Sequence, residues 1–363
     1  MKKILIAPLD WGLGHATRCI PIIEALLKRG CTVLVAGSGE SLQLLRHEFP
    51  SLTFFALPPY APKYSYDDSM VLSMARQIPK FVSVIRKEHL LIESLVERHN
   101  IDLVISDNRY GCWSSMVTSV FITHQLNILM PRRLGWIEPV VRNLNQNLIR
   151  KFSQCWIPDY SENDLRLSGR LSESDKISLD RITFVGPLSR FQPTVNADNE
   201  YDLICVLSGP EPQRSIFEEK VCSQLRISGL RYLVVRGILQ SAAATRENEI
   251  GFLSTEDLQR VISKSSVVIA RSGYSTIMDL VVLGKKGILV PTPGQTEQEY
   301  LADRWKRNGV FYSVPQHEFD LKNVLEMSKS YRVFQIDRAR SAKLLEGALD
   351  QLLVGKKSMA SVP

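Results

Sequence analysis

The sequence holds no C-x-x-C pair: its six cysteines, Cys19, Cys31, Cys112, Cys155, Cys205 and Cys222, stand far apart. That spacing argues against both a zinc knuckle and a dithiol redox motif, and leaves buried or incidental thiols in a reducing compartment as the expectation. No apolar run reaches the ~20 residues that a bilayer-spanning helix needs, so any membrane contact would be peripheral. The opening "MKKILIAPLDWGLGH" has an apolar run too short for a secretory leader, followed by Asp10, His15 and Arg18 where a cleavage site would stand. A cytoplasmic protein is expected, with the inner face of the membrane as the place for any peripheral contact. Low-complexity tracts and short repeats are also missing. So is a strong charge excess: the formal charge of +7 suits phosphates or an acidic surface but falls short of a nucleic-acid footprint.

What is present is an ordinary globular composition, 44% hydrophobic and 23% charged over 363 residues, a length beyond what one core usually supports. The first half alternates strand-like apolar runs with helical patterns: "KILIAPL", "TRCIPIIEALLKRG", "TVLVAG", "LTFFALP", an amphipathic stretch from Met70 to Arg98, and "DLVISD". Such alternation implies parallel βαβ units. A second series starts near Asp202 with "DLICVLSG", a helix from about Ser215, "RYLVVRG", "EIGFL", a helix from about Thr255, "SVVIARSG", a helix from about Thr276 and "KGILVPTP". Polar, aperiodic "SRFQPTVNADNE" lies between them and reads as a linker. The expected organisation is an α/β fold of two Rossmann-like domains, 1–188 and 201–336, joined by a linker over 189–200. A final helix in 337–363 then crosses back toward the first domain before a tail.

Ligands of open α/β sheets bind at the carboxyl ends of the strands, and several strand ends here carry polar or glycine-rich residues. After the first strand, Gly12 and Gly14 allow a tight turn and put His15 at a helix N-terminus, where the dipole would depress its pKa and favour the neutral imidazole. The same pattern also serves a purely structural turn. Asp107, ending "DLVISD", is a second candidate base, or a turn or cap residue. In the second series Ser208 and Gly209 turn the chain toward a helix whose free amides, with Arg214, could bind an anion; a rigid proline-bearing connection is the plainer reading.

The most informative stretch is "VVIARSGYSTIMDLVVLGKKGILVPTPGQTEQEYLADRW". The backbone of Arg271, Ser272 and Gly273 could cradle a phosphate, with Ser275 and Thr276 beside it at the helix start. Asp279 on that helix could accept from a ribose diol, although Thr276-x-x-Asp279 is also a capping box. Gln298 and Glu299 could hold sugar hydroxyls or lie on a solvated face.

The ordered set "GLGH", "VGPL", "SGPEPQR", "FL", "RSGYSTIMDLVVLG" and "VPTPGQTEQEY" resembles that of the family 28 glycosyltransferases. Resemblance is closest from Val267 to Tyr300. It implies the GT-B fold, two Rossmann-like domains facing each other across a cleft, and an inverting transfer of a sugar from a nucleotide-diphosphate donor, UDP-N-acetylglucosamine, to a hydroxyl acceptor. No metal and no bound cofactor are implied. Carried over by position, His15 with Gly14 lies near the acceptor and diphosphate, and Leu253 lies where main-chain groups hold the uracil. Ser272 and Gly273 border the diphosphate, Asp279 binds the ribose and Gln298 touches the donor sugar. Here "SGPEPQ" replaces the family's glycine-rich loop, and Glu299 replaces a second glutamine. The alternatives that share this donor site are a nucleotide-sugar 2-epimerase and a non-catalytic nucleotide-sugar-binding protein.

The acceptor is not legible; lipid-linked and glycan acceptors both stay open. In "PRRLGWIEPVVRNLNQNLIRK" (131–151), Arg132, Arg133, Arg142, Arg150 and Lys151 accompany Trp136, Val140, Leu144 and Leu148 at nearly helical spacing. One reading is an interfacial membrane helix. The other, commoner on general grounds, is a stripe buried in the core or in a dimer.

Overall fold

The computed structural model describes residues 1–62, 76–174, 177, 181–192, 198–238, 246, 248–334 and 336–354. Residues 70–75 of the amphipathic stretch, 193–197 of the expected linker and the tail from 355 lie outside them. Two all-parallel sheets organise the chain. The first contains β1 (Lys3–Pro8), β2 (Thr32–Gly37), β3 (Thr53–Ala56), β4 (Leu103–Asp107), β5 (Thr118–Ile122), β6 (Gln154–Ile157) and β7 (Ile182–Phe184), in spatial order β3-β2-β1-β4-β5-β6-β7. Helices α1 (Leu13–Lys28), α2 (Gly39–Glu48), α3 (Ile78–His99) and α4 (Glu138–Ile149) accompany it. The second contains β8 (Tyr201–Val206), β9 (Tyr232–Val235), β10 (Glu249–Ile250), β11 (Ser265–Ala270), β12 (Gly287–Leu289) and β13 (Tyr312–Ser313), in order β10-β9-β8-β11-β12-β13. Its helices are α5 (Gln213–Leu225), α6 (Thr255–Ser263), α7 (Tyr274–Leu283), α8 (Thr296–Arg307) and α9 (Leu321–Ser328).

Alternation along each central strand divides its side chains between two helical layers. Ile4 and Ile6 of β1 pack with Ile20 and Ile23 of α1, while Leu5 and Ala7 pack with Ile92 and Val96 of α3. The second sheet repeats this, Ile204 and Val268 facing Leu258 and Ile277, and Leu203 and Cys205 facing Phe217 and Val221. Strands buried on both faces need continuous apolar runs, which is why these segments do not alternate with polar residues. A last helix, α10 (Arg338–Val354), follows the second sheet yet sends Ala348, Leu349 and Leu352 into the core of the first domain, and Arg29 Nε donates to Asp350 Oδ1 at 2.9 Å.

In both sheets the order reverses beside the first strand of the series, between β1 and β4 and between β8 and β11. Crevices open at such points outside the carboxyl ends. Pro8 stands opposite Asp107 at one, and Val206 opposite Ala270 at the other.

The reading of 131–151 as a stripe buried in the core of its own chain is corrected. Trp136 is 78% exposed, Val140 61% and Leu144 59%, whereas the buried face of α4 is made of Asn145, Gln146 and Ile149. Asn145 explains part of this inversion: its amide donates to the carbonyls of Gln125 and Leu126, which ties α4 to the loop after β5. No helix among the described residues is long and apolar enough to cross a membrane.

Candidate active site

Gly12, with φ 94°, adopts the left-handed conformation that favours glycine and starts α1 directly after β1. His15 and Arg18 are three residues apart on this helix and so share a face. Both reach Asp107 at the end of β4. The Arg18 fork donates from Nε to Oδ2 at 2.9 Å and from Nη2 to Oδ1 at 2.5 Å, and His15 Nδ1 lies 2.7 Å from Oδ1. Arg18 Nη2 lies equally close to His15 Nδ1, at 2.7 Å; in the tautomer that donates to the carboxylate, which only accepts, Nδ1 carries the proton and Nε2 the lone pair. Burial, followed by the neighbouring Arg18 charge, lowers the His15 pKa below its ordinary value, with Asp107 pulling the other way. Burial alone would raise the Asp107 carboxyl; Arg18 and then His15 outweigh it and bring it down to about 2. The Asp107 side chain is wholly buried, whereas that of His15 is 16% exposed. Asp107 thus lies behind the imidazole, with His15 the more exposed member of the pair.

The second domain comes against this dyad through α7. Ser275 Oγ donates to the Gly14 carbonyl at 2.9 Å, and a Cβ on Gly14 would stand 2.8 Å from that oxygen. A side chain at Gly14 would displace the Ser275 hydroxyl from this contact. Gly273 caps α7, and neither α1 nor α7 has an acidic residue in its first turn or a side-chain cap. Two helix N-termini with uncompensated positive dipole ends thus meet at one junction, an arrangement suited to a polyanion.

Other expected ligands are placed differently. Arg214 is held by Glu211 at 2.7 Å and Glu218 at 2.8 Å, and Glu211 also takes the Ser215 amide at the start of α5. Arg271 is buried and donates to the carbonyls of Val290, Pro291 and Gln213, its guanidinium 4.4 Å from the Phe217 ring centroid. Burial without a carboxylate brings its pKa down to about 10. It braces the loops after β8 and β12. The Ser272 hydroxyl is buried and donates to the Gln298 carbonyl. Gln298 Oε1 accepts from the Thr292 amide, and Glu299 Oε1 from the Gly294 amide, both at 2.9 Å, so each stitches the loop before α8. Ser208 and Gly209 are exposed after β8, the latter at φ 106°. Leu253 packs on the second domain's core while Phe252 packs on the first domain's, 5.8 Å from His47.

Thr276 is partly exposed in the first turn of α7, and Asp279 follows within the helix. The capping-box alternative is overturned because the cap is Gly273, not Thr276. Asp279 Oδ1 accepts from Ser189 Oγ at 2.5 Å. Burial raises its pKa to about 6, against the opposing Arg190 charge.

Four residues that sequence reasoning missed join this region: Arg18, His124, Tyr274 and Glu297. His124 follows β5 and its ring stacks on Tyr274, centroids 4.1 Å apart and 5° between planes. Its Nε2 lies 2.7 Å from Glu297 Oε1 in the first turn of α8.

Residues 234–345 match the glycosyltransferase family 28 C-terminal domain, which spans α7, β12 and α8. An uncharacterized glycosyltransferase of Methanosarcina acetivorans is 24% identical over 96% of this chain and 95% of its own length. The chain is a family 28-like glycosyltransferase of the GT-B fold. Among solved structures, the kitacinnamycin glycosyltransferase superposes on this glycosyltransferase with TM-score 0.61 at 16% identity, covering 97% and 95% of the two chains. A spinosyn rhamnosyltransferase complexed with thymidine diphosphate gives TM-score 0.59 at 13% identity, covering 98% and 100%. A UDP-N-acetylglucosamine–N-acetylmuramyl-(pentapeptide) pyrophosphoryl-undecaprenol N-acetylglucosamine transferase of a Sulfurihydrogenibium species is 19% identical over 45% of this chain and 51% of its own.

Proposed function

We propose that this glycosyltransferase transfers N-acetylglucosamine from its UDP conjugate to an acceptor hydroxyl, with inversion and without a metal. The observation that carries the reading is the His15–Asp107 dyad set against the joined N-termini of α1 and α7. In this scheme His15 Nε2 removes the proton from the acceptor hydroxyl as that oxygen attacks the anomeric carbon. The bond from that carbon to the β-phosphate oxygen breaks, and the electron pair leaves with UDP. Asp107 holds the tautomer and the helix amides meet the charge growing on the diphosphate. The Sulfurihydrogenibium relative's substrate names support the choice of donor. Asp279 serves as the ribose acceptor. An epimerase would need acid and base carboxylates free to act on the sugar. Asp107, Glu297 and Glu299 are instead each held by protein donors, so no specific observation favours that alternative.

A thermal-shift panel of UDP, GDP, TDP and their sugars tests the donor. A ligand at ~100 times its dissociation constant adds about 2.7 kcal/mol, and UDP is expected to give the largest shift. Asp279→Ala is expected to weaken UDP binding by about 1.5 to 3 kcal/mol, the range for hydrogen bonds to a charged group. Because the Asp279 pKa is raised to about 6, the wild type should also lose affinity as pH falls through that value and the carboxylate gains a proton. Normal UDP binding by the variant would remove Asp279 from the site.

A peripheral membrane position, at the inner face, belongs to the same proposal and makes a lipid-linked acceptor the favoured class over a soluble glycan. Its support is the exposed Trp136, Val140 and Leu144 stripe beside the exposed Arg132 and Arg133. Each nearby cation contributes about 1 kcal/mol at an anionic surface. Co-sedimentation with anionic vesicles is expected at low salt. It should weaken as salt rises and fall sharply in an Arg132→Glu, Arg133→Glu variant, since the attraction is screened within ~8 Å at physiological ionic strength. Absence of binding at low salt refutes it.

A further inference from the structure

We propose that His124 and Glu297 are positioning residues for the transfer: they join the two domains and, through Arg18, hold the Asp107–His15 dyad in register. The proposal rests on His15 being the base. Glu297 lies in the first turn of α8, where the helix dipole already favours a carboxylate. Its hydrogen-bond donors nevertheless come from the other domain: His124 Nε2 at 2.7 Å, and the Gln125 side-chain amide. On the far side of the imidazole, Arg18 Nη1 lies 3.4 Å from His124 Nδ1. These contacts fit Nε2–H donating to Glu297 and Nδ1 accepting from Arg18.

Arg18 is consequently held from two directions, by Asp107 on β4 and by His124 after β5, and a guanidinium fixed on both sides cannot swing away from the carboxylate that orients His15. The His124 ring is itself pinned. It stacks on Tyr274, the first residue of α7, and the Tyr274 hydroxyl donates to the Pro158 carbonyl at 2.7 Å, a further contact between the domains. Each end of the series thus depends on the other domain being in place. The ionisable groups around His124 are Glu297 from α8 and Arg18 and His15 from α1. The pair therefore connects the approach of the donor domain to the alignment of the base, a dependence that the dyad alone does not create.

Two variants test this in the full chain. Glu297→Gln removes the charge but keeps an acceptor, and His124→Phe keeps the ring over Tyr274 while removing both hydrogen bonds. Each is expected to lower kcat by about 10²-fold, the scale of a small misplacement of catalytic groups. UDP binding should stay as in the wild type, and the double variant should be no slower than the slower single one. Either variant turning over like the wild type overturns the proposal. So do effects that multiply in the double variant, or UDP binding that falls in step with kcat, which would make the pair a brace of the donor domain. If the wild type transfers no sugar, the reading of His15 fails but the junction is still tested by small-angle scattering with UDP present. Glu297→Gln should then show a larger radius of gyration, and equal radii overturn it.

Discussion

Replacing His15 with alanine is expected to lower kcat by about 10² to 10⁴, the usual contribution of general acid–base catalysis, with donor affinity little changed. Both expectations follow from the geometry. Nδ1 faces Asp107 and Arg18, each 2.7 Å away, and with Nδ1 donating to the carboxylate it is Nε2 that takes a proton. The wild-type pH profile carries a further check. His15 acts when neutral, and its pKa lies below the ordinary 6.5, so activity should rise with pH through a point below 6.5. An acid limb centred above that value would contradict the environment described for this ring. Donor binding that falls together with turnover in His15→Ala would make His15 a contact of the diphosphate instead of the base.

The second large effect is on stability. Arg18 and Asp107 form a fully buried pair, their side chains 2% and 0% exposed. Breaking such a pair by removing one partner costs about 3 to 5 kcal/mol, because the remaining charge stays buried without compensation. Arg18→Ala is expected to destabilise the chain by that amount at neutral pH in urea unfolding. The sign of the pH dependence follows from the carboxylate. In the wild type the Asp107 pKa is depressed from 3.8 to about 2, so its contribution is present above the unfolded value and is lost as pH falls toward the folded one. Without Arg18, burial raises that pKa instead, and the variant can relieve its deficit by protonating Asp107. The difference between variant and wild type should therefore shrink on acidification. A deficit that is small at pH 7, or that grows at low pH, would show that the pair does not hold this junction together.

Much of the fold was legible because its signals are local. "KILIAP", "TVLVAG" and "DLVISD" are apolar on both faces, as strands buried between helices must be, and each became a strand. The helices after β8 and β11 begin two residues before their expected starts, at Gln213 and Tyr274, since polar residues around a cap do not mark the first turn sharply. Strands β5 to β7 escaped notice. They are short, at five, four and three residues, and their neighbours 132–149 present exposed apolar residues and buried amides, the reverse of the usual pattern.

In the site, the glycine-flanked His15 was visible because a turn residue and a reactive residue stand next to each other in the chain. Arg214 looked like a diphosphate cation for the same local reason, a charge at a helix start. Nothing in the spacing showed that Glu211 and Glu218 would take both sides of its guanidinium. Gln298 and Glu299 were likewise recognised as polar residues at the start of a helix, and they spend their oxygens on the loop amides of Thr292 and Gly294.

The sequence by itself determined two βαβ series, the tight turn at Gly12 and a family 28-like motif from Val267 to Tyr300, because strand burial, turn conformation and helix caps depend on residues within a few positions of one another. Only the tertiary structure decided which polar groups face one another. Arg18 meets Asp107 across 89 residues of chain and His124 meets Glu297 across 173. The physical reason is that hydrogen bonds and Coulomb attraction act through space over a few ångströms, whereas periodicity records only the residue's own element. The order of β1 beside β4, and the meeting of α1 with α7, bring those side chains within reach.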